Sequence, residues 1–181
     1  MAQTHQRRSI RIPDYDYTSP GAYFLTLCTH ERKQIFGSIQ DGKMILSRAG
    51  EIAQNELKRL SRRFRHIELG EYVVMPDHVH LLVSVVEPGP GSVEQFGQPV
   101  SGSIPTIVRS YKASVTWQVT RLPGWPGGAV WQRNYYEHIV RDEGGVGRVS
   151  AYIRMNPERW EGHGGGHGIG HGGDTDEGIF R

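Results

Sequence analysis

The strongest chemical signal in this chain is a pair of histidines one residue apart, in Met75-Pro76-Asp77-His78-Val79-His80-Leu81-Leu82-Val83. In a strand, residues two apart point to the same face, so His78 and His80 project together while Val79, Leu81 and Val83 pack on the other side. Two adjacent imidazoles, each offering a lone pair, form half of a divalent-metal site. The alternative is a pair of partly buried histidines satisfied by backbone carbonyls, and His-x-His by itself leaves both open.

A second group lies in Ser150-Ala151-Tyr152-Ile153-Arg154-Met155-Asn156-Pro157. On a helix, positions four apart share a face, so Tyr152 and Asn156 look the same way. The Asn156 amide oxygen suits a hard cation such as Mg²⁺ or Mn²⁺, and a tyrosine hydroxyl beside it can act as a nucleophile. Read alone, the segment also fits a surface tyrosine ahead of an asparagine that ends a helix. The stretch from Val130 to Arg141 contains Arg133, Tyr136, His138 and Arg141, a mixture suited to nucleotides through stacking and ion pairing, or to a buried aromatic segment with exposed charges. Basic residues also cluster at Arg7, Arg8 and Arg11, and at Lys58, Arg59, Arg62, Arg63 and Arg65. Such runs are either solvated faces or phosphate-binding surfaces.

These groups must be positioned by regular elements. Ala22 to Thr29 is rich in aromatic and β-branched residues and predicts a strand. Asp41-Gly42 between the apolar parts of Phe36–Leu46 predicts a hairpin. Ser47 is an N-cap for a helix from Arg48 to Phe64, with Ile52, Ala53, Leu57, Leu60 and Phe64 at helical spacing. Ile67–Met75 and His78–Val86 read as strands, and Glu87–Pro105, with its prolines and glycines, as a long loop. Helices are expected over Ile104–Val119 and Val146–Asn156, the latter stopped by Pro157, with a short strand at Val130–Gln132. The order describes an α+β fold, an antiparallel sheet with helices packed on one face.

The chain has 181 residues, 36% of them hydrophobic and 22% charged, enough for a globular core. Its single cysteine, Cys28, excludes an internal disulfide and a cysteine-based zinc cluster, and suits a reducing cytoplasm. No apolar run approaches the roughly 20 residues of a membrane helix, and the polar, basic Met1–Ile10 lacks a signal-peptide core. The formal charge of +2 is unevenly distributed. Residues 161–181 hold nine glycines and a net charge of −3, a composition that predicts a disordered Gly/His-rich tail. Residues 1–160, the expected domain, carry 20 basic and 15 acidic residues, a net of +5. His163, His167 and His171 recur every four residues, but a glycine background holds no helix, so the tail reads as a spacer.

Taken in order, several segments resemble the REP-associated tyrosine transposases, bacterial relatives of the single-tyrosine transposases of the HUH endonuclease superfamily. They are an Arg-rich start leading to Tyr15-Asp16-Tyr17, Pro20-Gly21-Ala22-Tyr23-Phe24, Val73-Val74-Met75-Pro76-Asp77-His78-Val79-His80, Ser110-Tyr111-Lys112, the run Trp131 to Arg141, and Tyr152-Ile153 with Asn156-Pro157 and Trp160. The resemblance implies a ferredoxin-like sheet. It matches His78 and His80 to the metal ligands, Tyr152 to the nucleophile and Asn156 to the polar residue that completes the metal shell, with Tyr136 as second choice of nucleophile. It further implies Mg²⁺ or Mn²⁺ as cofactor and nicking and strand transfer on single-stranded or hairpin DNA, such as REP elements, through a 5′-phosphotyrosine. A monomer or homodimer in the bacterial cytoplasm, associated with the nucleoid and not with a membrane, is the corresponding setting. Arg7, Arg8, Arg11, Arg62, Arg63, Arg133, Tyr136, His138 and Arg141 are the candidate DNA contacts. One departure stands out: Gly144, Gly145 and Gly147 occupy positions where relatives carry helix formers, which predicts a frayed start to the tyrosine helix. A non-catalytic, domesticated DNA-binding protein for hairpin repeats is therefore the alternative. A water-using phosphodiesterase with a structural Tyr152 is a third.

Overall fold

The computed structural model describes residues 16–88 and 100–160. Arg7, Arg8, Arg11, the middle of the 87–105 loop and the 161–181 tail lie outside the described residues. The elements are β1 (Gly21–Cys28), β2 (Gly37–Gln40), β3 (Lys43–Leu46), α1 (Arg48–Lys58), α2 (Leu60–Arg63), β4 (Ile67–Val74), β5 (His78–Val85), α3 (Ile104–Val119), β6 (Tyr136–Val140) and α4 (Glu143–Met155).

Strands β4, β5, β1 and β6 form one antiparallel sheet in that order, and β2 and β3 form a separate hairpin. With α1 between β1 and β4 and α3 between β5 and β6, this is the ferredoxin-like arrangement of two interleaved β-α-β units. The small hairpin is inserted between β1 and α1. Its turn, Asp41-Gly42, has both residues at positive φ, 50° and 70°, the geometry that matches the twist of the two strands. The Ser47 hydroxyl caps α1 by accepting from the Gly50 N–H at 3.1 Å.

Strand alternation sorts the core into two layers. Tyr23, Leu25 and Leu27 of β1 and Val79, Leu81, Val83 and Val85 of β5 face α1 and α3, meeting Ala53, Leu57, Ile107, Tyr111 and Val115. Phe24 and Leu82 point the other way and pack on Val149 and Ile153 of α4. The expected helices on one face are thus α1 and α3, while α4 covers the opposite face. Its apolar stripe requires partners, and the alternate residues of β1 and β5 supply them.

Three local expectations change. The helix from Ser47 breaks at Arg59 rather than running to Phe64, and continues only as the short α2. Val130–Gln132 is not a strand: Trp131 makes one isolated bridge to Thr29. The sheet's edge strand is instead Tyr136–Val140, paired with β1 from Thr26↔Tyr136 to Ala22↔Val140. Its mixed sequence, Tyr-Glu-His-Ile-Val, lacks the apolar bias of a central strand because only one neighbour covers it.

The tyrosine helix starts three residues before the expected Val146 and takes in all three glycines. It begins at Glu143, where the Asp142 carboxylate accepts from the Gly145 N–H at 2.7 Å. A Cβ on Gly145 would lie 2.9 Å from Val140 Cγ1, so this glycine lets the helix meet the end of β6.

Candidate active site

The β4–β5 hairpin turns through Pro76 and Asp77, closed by the Met75 N–H donating to the His78 carbonyl at 2.8 Å. Its tip is buried, and other parts of the chain satisfy its backbone. Phe36 N–H donates to the Pro76 carbonyl at 3.0 Å, and Thr29 N–H to the Asp77 carbonyl at 2.9 Å. This rigid tip delivers His78 and His80 to the α4 face of the sheet, as strand alternation requires.

The two rings meet with His78 Nε2 and His80 Nε2 3.0 Å apart, and both side chains are buried. Each outer nitrogen is held. The His78 Nδ1–H donates to Asp77 Oδ1 at 2.6 Å, since an Arg32-paired carboxylate can only accept. In the neutral ring that leaves His78 Nε2 with a bare lone pair; in the imidazolium form, paired with Asp77, Nε2–H would instead donate to His80. His80 Nδ1 is 2.9 Å from the Thr26 hydroxyl, which can donate or accept. With Thr26 accepting, both Nε2 lone pairs converge and call for a shared cation; with Thr26 donating, His80 Nε2–H bonds to His78. Burial, then His78 and the Arg32 charge, holds the His80 imidazole well below the usual histidine range, so it is neutral and fit for a ligand.

The donor set therefore suits a divalent cation. Two donors at right angles and about 2.1 Å from an octahedral ion sit about 3 Å apart, the spacing of this pair. Among the described residues no cluster of three or more His, Cys, Asp or Glu is arranged to hold a metal ion. Further ligands would have to be of another kind, such as the Asn156 amide, water or a phosphate oxygen.

Aromatic rings wall the pair. Phe24 stacks on His80 at 5.2 Å between centroids, Tyr152 meets His80 at 5.4 Å, and Trp160 meets His78 at 5.7 Å. Tyr152 also sits edge-on to Phe24 at 6.0 Å. Helix α4 thus brings the half-buried Tyr152 against His80, and Asn156 follows one turn later as its C-cap. Tyr136, the second candidate for nucleophile, shares this face of the sheet. The register Tyr136↔Thr26↔His80 places it two strands from His80, about 10 Å between backbones at the usual strand spacing.

The other candidates divide. His138 lies opposite Phe24 on the site's face, its pKa lowered by burial and, to a smaller degree, by the Arg141 charge. Arg141 is exposed just beyond β6. Arg62 is exposed on α2, whereas Arg63 bridges Glu56 at 3.0 Å to the Ser110 and Ser114 hydroxyls at 3.0 and 3.1 Å. Arg133 lines a cleft of about 800 Å³ with Arg109, Lys112, Trp117, Arg121 and Tyr135. The cleft lies on the far side of the sheet, since its Glu137 pairs with Leu25 of the α1/α3 layer. Trp117 is 60% exposed, with the Arg121 guanidinium 4.2 Å from its ring. Lys112 donates to the carbonyls of Gln132 and Asn134 at 3.0 and 2.9 Å, and burial pulls its amine down to about 8.

Asp77, Thr26 and Trp160 join the expected site residues in the structure. For Asp77 a signal was present, a carboxylate directly beside a candidate ligand. Thr26 and Trp160 reach the histidines only through tertiary structure.

The sequence profile of the family described as "Transposase IS200 like" matches residues 20–156. An uncharacterized protein of Haemophilus influenzae (strain Rd) is 36% identical over 170 residues, covering 88% of this chain and 93% of its own length. The solved structure of a REP-associated tyrosine transposase bound to a REP hairpin superposes with a TM-score of 0.55 and 19% identity, over 81% of this chain and 70% of that one. Among the described residues no helix is long and apolar enough to cross a membrane.

Proposed function

This chain belongs to the IS200-like transposase family, a transposase-type role in DNA processing, and from that premise we propose that it nicks and rejoins single-stranded or hairpin DNA with Tyr152 as nucleophile. The observation that carries the proposal is the meeting of the His78–His80 pair with the Tyr152 ring on one face of the sheet.

His78 and His80, with Asn156, would hold Mg²⁺ or Mn²⁺. Such an ion supplies charge stabilisation to a phosphate under attack. Asp77 and Thr26 orient the two imidazoles through their outer nitrogens. The Tyr152 oxygen forms a bond to phosphorus as the bond from phosphorus to the 3′-oxygen breaks. The phenolic proton leaves to solvent and the 3′-oxygen gains one, giving a 5′-phosphotyrosine and a free 3′-hydroxyl. Because one ester replaces another, attack by a second 3′-hydroxyl reverses the step and joins strands without ATP. Phe24 and Trp160 restrict water beside the histidines, which favours that exchange over hydrolysis.

The surface supports a DNA substrate. β6 is a sheet edge, with the Arg133, Arg109 and Arg121 cleft on one side and Tyr136 and His138 on the other. A single strand could bend round that edge from the basic cleft to the histidines.

The test is a denaturing protein gel after incubating the protein with Mn²⁺ and a labelled hairpin oligonucleotide. A covalent adduct formed by the native protein and by Tyr136→Phe, but absent in Tyr152→Phe, is expected. Cleavage without an adduct would point to water as nucleophile, and binding without cleavage to a non-catalytic protein. An adduct lost only in Tyr136→Phe would move the nucleophile to β6.

A further inference from the structure

The turn after β1 has a backbone the sequence does not explain. Glu31 and Arg32 both lie in the left-handed region, with φ of 56° and 55°, where neither residue gains anything locally. Strained residues of this kind persist when surrounding structure holds them, and they cluster at functional sites. Here the holding is visible. Thr29, fully buried, donates its N–H to the Asp77 carbonyl at 2.9 Å, and its hydroxyl lies 2.9 Å from that same oxygen. The strained turn is therefore locked to the tip that carries the histidines.

Its consequence is the placement of one side chain. The Arg32 Nε lies 3.3 Å from Asp77 Oδ2, while Nη1 donates to Cys28 Sγ at 2.9 Å. Asp77 is 1% exposed, and its other oxygen takes the His78 Nδ1–H. Cys28 pairs in register with His78 across the β1–β5 ladder. The guanidinium thus joins two points beside His78, hydrogen-bonded at Cys28 Sγ and ion-paired, without hydrogen-bond alignment, at Asp77 Oδ2. We propose that Arg32 is a positioning residue for the proposed reaction, acting through Asp77 to fix the His78 ring with its proton on Nδ1 and its Nε2 lone pair toward His80.

This inference rests on the reading of His78 as a metal ligand, but its first readout needs no metal. In EDTA-treated full-length protein with ¹⁵N-labelled histidine, the His78 resonances are expected to show one nitrogen protonated and one bare, the Nδ1–H form. In Arg32→Met, checked for fold by circular dichroism, that pattern should give way to averaging between the two tautomers. Arg32→Lys, which keeps a cation beside Asp77 Oδ2, should restore it. A fixed Nδ1–H pattern in Arg32→Met would overturn the proposal. The native protein supplies a check that does not depend on the variant folding: a His78 proton found on Nε2 rather than Nδ1 would overturn the proposal. A second readout is Mn²⁺ affinity by electron paramagnetic resonance, with binding that survives His78→Ala subtracted as unrelated to the site. Loss of an outer partner of a ligand typically weakens metal binding 10–100-fold; Arg32 stands one contact further out, behind Asp77, so Arg32→Met should fall by up to about tenfold, and unchanged affinity would count against the proposal. If native protein and His78→Ala bind Mn²⁺ alike, the metal reading fails while the tautomer result still decides the role of Arg32.

Discussion

The glycines of the tyrosine helix make opposite predictions for one substitution. Gly145 and Gly147 both lie in α4, and alanine is the better helix former at either by up to about 1 kcal/mol. Gly147 is exposed, and a Cβ there would meet nothing within 4 Å. Gly147→Ala should therefore keep nearly the whole gain, raising Tm by about 2–4 °C for a chain of this size. At Gly145 the new Cβ would stand 2.9 Å from Val140 Cγ1, against an ordinary carbon contact of about 3.5–4.0 Å. Val140 is 7% exposed and paired with Ala22 in the sheet, and a β-branched side chain has little freedom to turn away. Overpacking of this kind costs about 1–3 kcal/mol. After the smaller helix gain in the first turn, Gly145→Ala should lose about 1 kcal/mol. Thermal unfolding by circular dichroism, on metal-free protein at one pH, separates the two by several degrees in opposite directions. Equal stabilisation by both alanines would refute the contact between β6 and α4. A loss at Gly147 would refute the helix over that turn. The comparison matters for function because Tyr152 rides on this helix, and the contact at Gly145 anchors its start, about two turns before the tyrosine.

Three other outcomes follow from the same physical reasoning. Burial raises the Glu56 carboxyl, but hydrogen bonds from Gln118, Arg63 and Arg59 outweigh it and leave the pKa below the ordinary value of 4.5. Its stabilising contribution is thus full above pH 4.5 and lost as pH falls through the folded value. Glu56→Gln should lower stability by about 1–3 kcal/mol at pH 7, with the gap to the native protein narrowing below pH 4.5 in urea titrations. Lys112, held near 8 by burial, gives up its proton in the folded protein before the unfolded chain does near 10.4. Stability should therefore rise with pH between those values, and acylation of Lys112 should switch on around pH 8; a midpoint near 10.4 would contradict its burial. Trp117 is 60% exposed, so Trp117→Ala should leave Tm unchanged. If a base stacks there, affinity for a single-stranded oligonucleotide should fall by about 1–3 kcal/mol, read by fluorescence anisotropy.

What the sequence discloses about this molecule follows the range over which its interactions act. The hairpin at Asp41-Gly42, the Ser47 cap, the shared face of His78 and His80, and the one-turn spacing of Tyr152 and Asn156 all depend on residues within a few positions of each other. All are legible in the sequence. The edge strand β6 is not, because Tyr-Glu-His-Ile-Val becomes a strand through its ladder to β1, a hundred residues earlier in the chain, and the local pattern carries little of that pairing. The same holds for the tyrosine helix. Counting glycines predicts fraying, since propensity treats each as a loss. In the fold, Gly145 is the residue that allows α4 to sit on Val140, so tertiary contact reverses the local sign. The site divides along this line too. The two histidines are visible because strand geometry alone aligns them, yet apart from Asp77 the groups around their rings are distant in sequence. Thr26 arrives from β1, Trp160 from beyond α4, and Arg32 from a turn whose left-handed backbone no local residue favours. A histidine pair read from sequence therefore states only that two imidazoles share a face. Whether each presents a lone pair is decided by the groups on its outer nitrogen, and here those groups, Asp77 with Arg32 and Thr26, leave both inner nitrogens able to face the same ion.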